Sequence, residues 1–231
     1  MRVVFMGNPE FAIPTLKLLQ KSRHKLLAVV SNKPKRMGRG KTFKSTPVGI
    51  YAKENKIKLL EPTKLNEKVF IDELKKMKAD IFLVVAYRIL PNEIIKIPTH
   101  GAVNLHVSLL PRYRGAAPIQ WALMNGDKET GVTIFQISEK VDTGDILAQE
   151  KFPIFDDDTM LSLGTRLCNF GADIILDTID KIENGSIRSV KQDQGIASFA
   201  PKITKEMRFI DWSWPCTKIH NWVRGLSPYP S

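Results

Sequence analysis

Apolar and polar residues follow two rhythms along this chain, and each change of rhythm marks an element. Largely apolar runs at residues 2–6, 26–31, 57–60, 80–85 and 101–107 have the length and composition of buried strands. Between them, residues 11–20, 47–55 and 66–77 space their apolar side chains as a helix does. Strand and helix in turn, at this spacing, predict an α/β fold built on a parallel, doubly wound sheet. Pro118 suits the first turn of a helix that stops at Asn125 and Gly126, and residues 132–135 and 146–154 read as further strands. Asp158 is then placed to cap a long helix whose stripe includes Leu163, Leu167, Phe170 and Ile174, closing at Asn184 and Gly185. Residues 186–207 keep no sustained period and read as a linker. Beyond it Trp212, Trp214 and Trp222 form an aromatic cluster too large for so short a tail, which reads as the start of a second domain.

The run beginning at Gly101 departs from the other strands on one face. Val103, Leu105, Val107 and Leu109 point one way, and Asn104, His106 and Ser108 point the other. Central strands of an α/β sheet are normally apolar on both faces, so an amide, an imidazole and a hydroxyl in a row must line a site or meet solvent. A carboxylate returns at Asp142, within VDTGDIL. Each residue alone also has a plainer use: Asn104 in satisfying buried backbone, His106 as a hydrogen-bonded core histidine, Asp142 in an Asx turn. Ser108 is no triad nucleophile, because no GxSxG elbow surrounds it. GNPEF at residues 7–11 follows the first strand without forming GxGxxG, which argues against a dinucleotide site.

Composition narrows the class. A chain of 231 residues can bury a full core as one domain with an appendage. Only Cys168 and Cys216 occur, which excludes a disulfide framework or a CxxC metal site, and His24, His100 and His220 lack metal-ligand spacing. The first strand begins almost at once, with no charged leader before it and no later run of membrane-spanning length, so we expect a cytoplasmic protein. The net charge of +11 is concentrated: residues 11–53 hold no acidic side chain but carry Lys17, Lys21, Arg23, Lys25, Lys33, Lys35, Arg36, Arg39, Lys41, Lys44 and Lys53. A solvated basic face is the plain reading. With Gly38 and Gly40 inside it, an acid-free run also suits a loop that meets phosphates, and so a polyanionic partner.

NLHVSLLPRYRGAAPIQWAL and VDTGDIL closely resemble the folate-dependent formyltransferases. MRVVFMGNPEFA is similar to that family's opening strand and turn, KRMGRGKTFKSTPV to the basic loop of its tRNA-directed members, and VVAYRILP to its folate-cleft segment. FAPKITKEMRFIDW and HNWVRGLSPYP are similar to its interdomain linker and the start of its second domain. The resemblance implies a Rossmann-like, mostly parallel sheet in a catalytic domain at 1–188, a linker at 189–207, and at 208–231 the start of a truncated β-barrel-type domain that helps hold tRNA. It implies formyl transfer from 10-formyltetrahydrofolate, without a metal, to the α-amino group of methionyl initiator tRNA by a monomer.

Such a reaction needs oxyanion donors and a proton route. The family pattern assigns Asn104, His106 and Asp142 as the catalytic set, and Ser108, Leu109, Leu110, Pro111, Ala86 and Tyr87 along the folate. It puts Lys35, Arg36, Arg39, Lys41 and Lys44 against tRNA. Where the family shows Gly after the Ala-Tyr pair, this chain has Arg88. A nucleotide-sugar N-formyltransferase would share Asn104, His106 and Asp142 without needing the basic loop. A nucleic-acid-binding protein with a vestigial site is the alternative outside enzymes, and folate-dependent turnover would dismiss it.

Overall fold

The computed structural model describes residues 1–37 and 42–229. In chain order, β1 (Arg2–Gly7), α1 (Ile13–Lys21) and β2 (Lys25–Val30) precede a short ribbon of β3 (Lys35–Met37) and β4 (Thr42–Lys44). Next come α2 (Pro47–Glu54), β5 (Leu59–Leu60), α3 (Lys68–Met77), β6 (Ile81–Val85), α4 (Asn92–Ile95), β7 (Ala102–His106) and β8 (Arg114–Gly115). The chain continues through α5 (Pro118–Met124), β9 (Glu129–Gln136), β10 (Ile146–Pro153), α6 (Met160–Glu183), β11 (Phe199–Ala200) and α7 (Cys216–Leu226).

Seven strands form one sheet in the order β10-β9-β7-β6-β1-β2-β5. The pairings among β1, β2, β5, β6 and β7 are parallel, while β9 runs antiparallel to β7 and β10 antiparallel to β9. Val3 and Phe5 of β1 enter one core cluster with Leu16 of α1 and Leu167 and Ile175 of α6. Val4 and Met6 enter a second cluster with Phe70 and Leu74 of α3. Helices therefore cover both faces, and a strand buried on both faces has to be apolar throughout. Among the described residues no helix is long and apolar enough to cross a membrane.

Several local expectations are corrected. The strand carrying Asn104 and His106 ends at His106, so Ser108 lies past it and shares no face with them; its hydroxyl donates to the Arg112 carbonyl at 2.7 Å. The cap of α6 is Thr159, in a reciprocal box with Ser162. Asp158, one residue earlier, instead accepts from the Phe155 N–H at 2.8 Å and the Ser162 hydroxyl at 2.8 Å, and pairs with Arg166.

Residues 186–207 are irregular, yet they lie against the body: β11 pairs in parallel with β8, and Val190 bridges to Ile146. In the tail, Trp212 is exposed. The aromatic cluster joins Trp222 to Trp214, with ring centres 5.0 Å apart, and to Trp121 of α5 at 6.5 Å. Arg224 of α7 is buried and donates to the carbonyls of Phe155 at 3.1 Å and Asp158 at 3.0 Å, which docks α7 on the body.

Candidate active site

From β1 the chain moves outward to β2 and β5, then returns to β6 on the other side of β1. Ligands of doubly wound sheets bind beyond the carboxyl ends of the strands near such a reversal. A cavity of about 740 Å³ opens there, within the range of small-molecule sites. Pro9 follows β1 into its wall, Ala86 to Leu90 follow β6, Asn104 and His106 come from β7, and Asp142 comes from the turn between β9 and β10.

Asn104 and His106 share a face of β7 because they are two residues apart, while Val103 and Leu105 enter the core on the other face. The Asn104 side chain has no hydrogen-bond partner among the described residues, although its backbone lies between β6 and β9 in register with Val84 and Phe135. An unpaired amide on a strand held from both sides is a donor free to meet a ligand. His106 is buried, with Nε2 2.9 Å from the Tyr113 carbonyl. A carbonyl only accepts, so the network assigns the proton to Nε2 and leaves the Nδ1 lone pair free. Nδ1 faces Asp142 Oδ2 at 3.8 Å, longer than a hydrogen bond but close enough to attract positive charge arriving on the ring. The same Asp142 oxygen accepts the Gly115 N–H at 2.8 Å.

The backbone around this trio is strained. Ala86, Tyr113 and Asp142 have φ of 49°, 61° and 52°, a left-handed conformation costing roughly 1 to 3 kcal/mol each outside glycine. Each aims a group at the site: Ala86 begins the wall after β6, Tyr113 presents its carbonyl to His106, and Asp142 turns its carboxylate inward. Gly144 closes the Asp142 turn against β9, where a Cβ would lie 1.7 Å from the Gln136 carbonyl oxygen.

Of the residues expected along a folate, Ala86 and Tyr87 line the cavity and Ser108, Leu109, Leu110 and Pro111 do not. These four form the turn behind His106. Buried Thr133 anchors it, donating to the Ser108 carbonyl at 2.6 Å and accepting the Leu110 N–H at 3.1 Å. Arg88 joins the wall and holds the neighbouring segment, donating to the carbonyls of Thr63 at 3.1 Å and Pro62 at 3.0 Å and to the Tyr87 hydroxyl at 2.8 Å. Burial pushes the Tyr87 hydroxyl pKa up, with Arg88 acting in the opposite direction. Of the expected tRNA contacts, Lys35, Arg36 and Lys44 are exposed on the β3–β4 ribbon, whereas Arg39 and Lys41 lie outside the described residues.

Sequence reasoning missed Arg114 and Gln192, both buried against the Asp142 turn. Arg114 stands within RYRGAAP, but nothing in its local pattern marks it as buried. Gln192 sits in a polar stretch without periodicity, and its partners are 48 to 78 residues away.

The fold is of the α/β class with a cavity at its topological switch point, and the chain belongs to the formyl transferase family of group-transfer enzymes, whose model matches residues 1–179. The family's C-terminal domain matches residues 202–231. Among particular relatives, the methionyl-tRNA formyltransferase of Caldanaerobacter subterraneus subsp. tengcongensis is 44% identical over all of this chain and 75% of that protein. The methionyl-tRNA formyltransferase of Bacteroides fragilis is 40% identical over all of this chain and 72% of its own length. Among solved structures, WlaRD, a sugar 3N-formyl transferase crystallised in the presence of dTDP and 5-N-formyl-THF, superposes with a TM-score of 0.73. It is 25% identical, and the match covers 97% of this chain and 78% of that one.

Proposed function

We propose that this protein transfers a formyl group from 10-formyltetrahydrofolate to the α-amino group of methionyl initiator tRNA. The observation that carries the chemistry is the convergence of Asn104, His106 and Asp142 on one cavity, with the Asn104 amide and the His106 Nδ1 both uncommitted. The identity to methionyl-tRNA formyltransferases at 40 to 44% supports the choice of acceptor.

The attacking amine forms a bond to the formyl carbon, and the carbonyl oxygen takes up negative charge. The Asn104 N–H groups donate to that oxygen, a role for which an unpaired donor at the cavity wall needs no rearrangement of the fold. His106 Nδ1 accepts the proton the amine loses, with Asp142 facing the imidazolium so formed. As the bond from carbon to the folate nitrogen breaks, the same proton passes to the departing nitrogen. Lys35, Arg36 and Lys44, with Arg39 and Lys41 of the same sequence run, supply the phosphate contacts for tRNA.

The proposal also divides the chain into a catalytic domain at 1–188, a linker at 189–207 and the start of a second domain at 208–231, working as a monomer in the cytoplasm. One experiment tests it: incubation with 10-formyltetrahydrofolate and either charged initiator tRNA or an amino-sugar nucleotide. Formyl-methionyl-tRNA is the expected product. Formylation of the sugar alone would move the reading to a nucleotide-sugar N-formyltransferase, and no turnover on either would remove it.

A further inference from the structure

Arg114 and Gln192 are more than nine-tenths buried, and each is held by the other. Gln192 Oε1 accepts from Arg114 Nε at 3.0 Å and Nη2 at 2.6 Å, and Arg114 Nη1 donates to Gln194 Oε1 at 2.9 Å. No carboxylate among the described residues pairs with this guanidinium. A buried cation satisfied only by amide oxygens is a costly way to fill space, so its use here needs a reason beyond packing.

The reason lies at the other end of Gln192. Because Oε1 faces donors, the amide orientation is determined by its surroundings, and Nε2 gives its hydrogens to the carbonyls of Asp142 at 3.0 Å and Gly144 at 2.7 Å. Those two carbonyls flank the left-handed turn that presents the Asp142 carboxylate to His106. The same segment supports His106 as well. Ser198 Oγ accepts the Tyr113 N–H at 2.9 Å, and the Ser198 carbonyl accepts the Arg114 N–H at 2.9 Å, which fixes the peptide whose carbonyl holds His106 Nε2.

We propose that Gln192, oriented by Arg114, is a positioning residue that fixes the Asp142 turn for formyl transfer, a role that rests on the function proposed above. The stretch whose sequence reads as a linker thereby becomes part of the site's framework, acting through the backbone of Asp142 and touching no reacting atom.

Gln192→Glu separates this role from simple packing. The variant keeps the shape and gives Arg114 a carboxylate, but it replaces two donors with an oxygen facing two carbonyls. The expected result is a kcat at least about tenfold below the parent with the KM for 10-formyltetrahydrofolate within about threefold. In an Asp142→Asn background the same change should cost less than about threefold, because an effect that passes through Asp142 cannot be lost twice. Amide hydrogen exchange at Gly115 and Gln136, whose N–H groups donate to Asp142 Oδ2 and to the Asp145 carbonyl, should rise while the core strands keep their protection, a readout that does not depend on turnover. Gln192→Met, which lacks both the acceptor and the donors, should show the same exchange and the same dependence on Asp142 if Gln192→Glu does not fold. Parent-like kcat and exchange in the folded variant would overturn the proposal, as would equal losses in the parent and Asp142→Asn backgrounds. A parent that formylates nothing, with exchange still raised by Gln192→Glu, would refute the proposed reaction and leave the clamp standing.

Discussion

Asn104→Ala tests the site at its simplest point. The Asn104 side chain makes no hydrogen bond within the described residues, so its removal leaves no protein group orphaned, and the backbone pairing of β7 with β6 and β9 is untouched. Substitutions that bury no new polar group and break no hydrogen bond usually change stability by about 0.5 kcal/mol or less. The chemical cost should be far larger: deleting one oxyanion donor typically lowers kcat by about 10² to 10³, or roughly 2.7 to 4 kcal/mol of transition-state stabilisation. Asn104→Asp should be at least as damaging, because it exchanges donors for a negative charge beside a developing oxyanion. The assay is steady-state formylation of charged initiator tRNA with both substrates varied, paired with a thermal melt of each variant. The expected pattern is a kcat loss of that size, a folate KM within about threefold of the parent and an unchanged melting midpoint. A kcat within about threefold of the parent in a folded Asn104→Ala protein would refute the oxyanion role, and so would a loss confined to KM.

His106→Ala and Asp142→Asn should each lower kcat by about 10² or more while the protein stays folded, as circular dichroism would verify; near-parental turnover in either removes that residue from the mechanism. Replacing Lys35, Arg36 and Lys44 with Ala should weaken tRNA binding and reduce the log-log salt slope by about 0.7 to 0.9 for each phosphate no longer neutralised, leaving the folate KM alone. An unchanged slope would make the β3–β4 ribbon a solvated surface. Burial alone would raise the Asp158 carboxyl pKa, but hydrogen bonds from the Phe155 N–H, Arg166 and Ser162 outweigh it and hold the group below its ordinary value. A depressed carboxylate contributes stability that is present above its unfolded pKa of about 3.9 and is lost as pH falls through the lower folded value. Asp158→Asn should therefore cost about 1 to 3 kcal/mol at neutral pH, and its melting midpoint should converge on the parent's as pH drops below about 4. A gap that stays constant across that range would show that the charge is not what stabilises the start of α6.

Apolar runs and helical spacing were enough to read the strands of the seven-stranded sheet and the helices α1, α2, α3, α5 and α6, because each reports burial of a strand or a helix face, a property held within a few neighbouring residues; the short β3, β4, β8 and α4 carry too few residues to show a period and were not read. β1 shows why: Val3 and Phe5 face one core and Val4 and Met6 the other, so a strand buried on both sides is visible from its composition alone. Asn104 and His106 were legible for the same reason, since two residues in a strand share a face wherever the strand lies. Ser108 was misplaced because the pattern continues past the end of the pairing, and whether a strand stops is decided by its neighbours: β9 holds His106 in register with Thr133, and the chain turns immediately afterwards. Trp212 was grouped with Trp214 and Trp222 by proximity in sequence, whereas the actual cluster draws Trp121 from another helix and leaves Trp212 in solvent. The approach of Asp142 to His106 at 3.8 Å, and the buried Arg114–Gln192 clamp that holds its turn, join residues 36 to 78 positions apart. No local period encodes such contacts. They exist only once the sheet has brought distant loops together, so the sequence determined which chemical groups the chain possesses and the faces they occupy, while tertiary packing alone decided which of them meet.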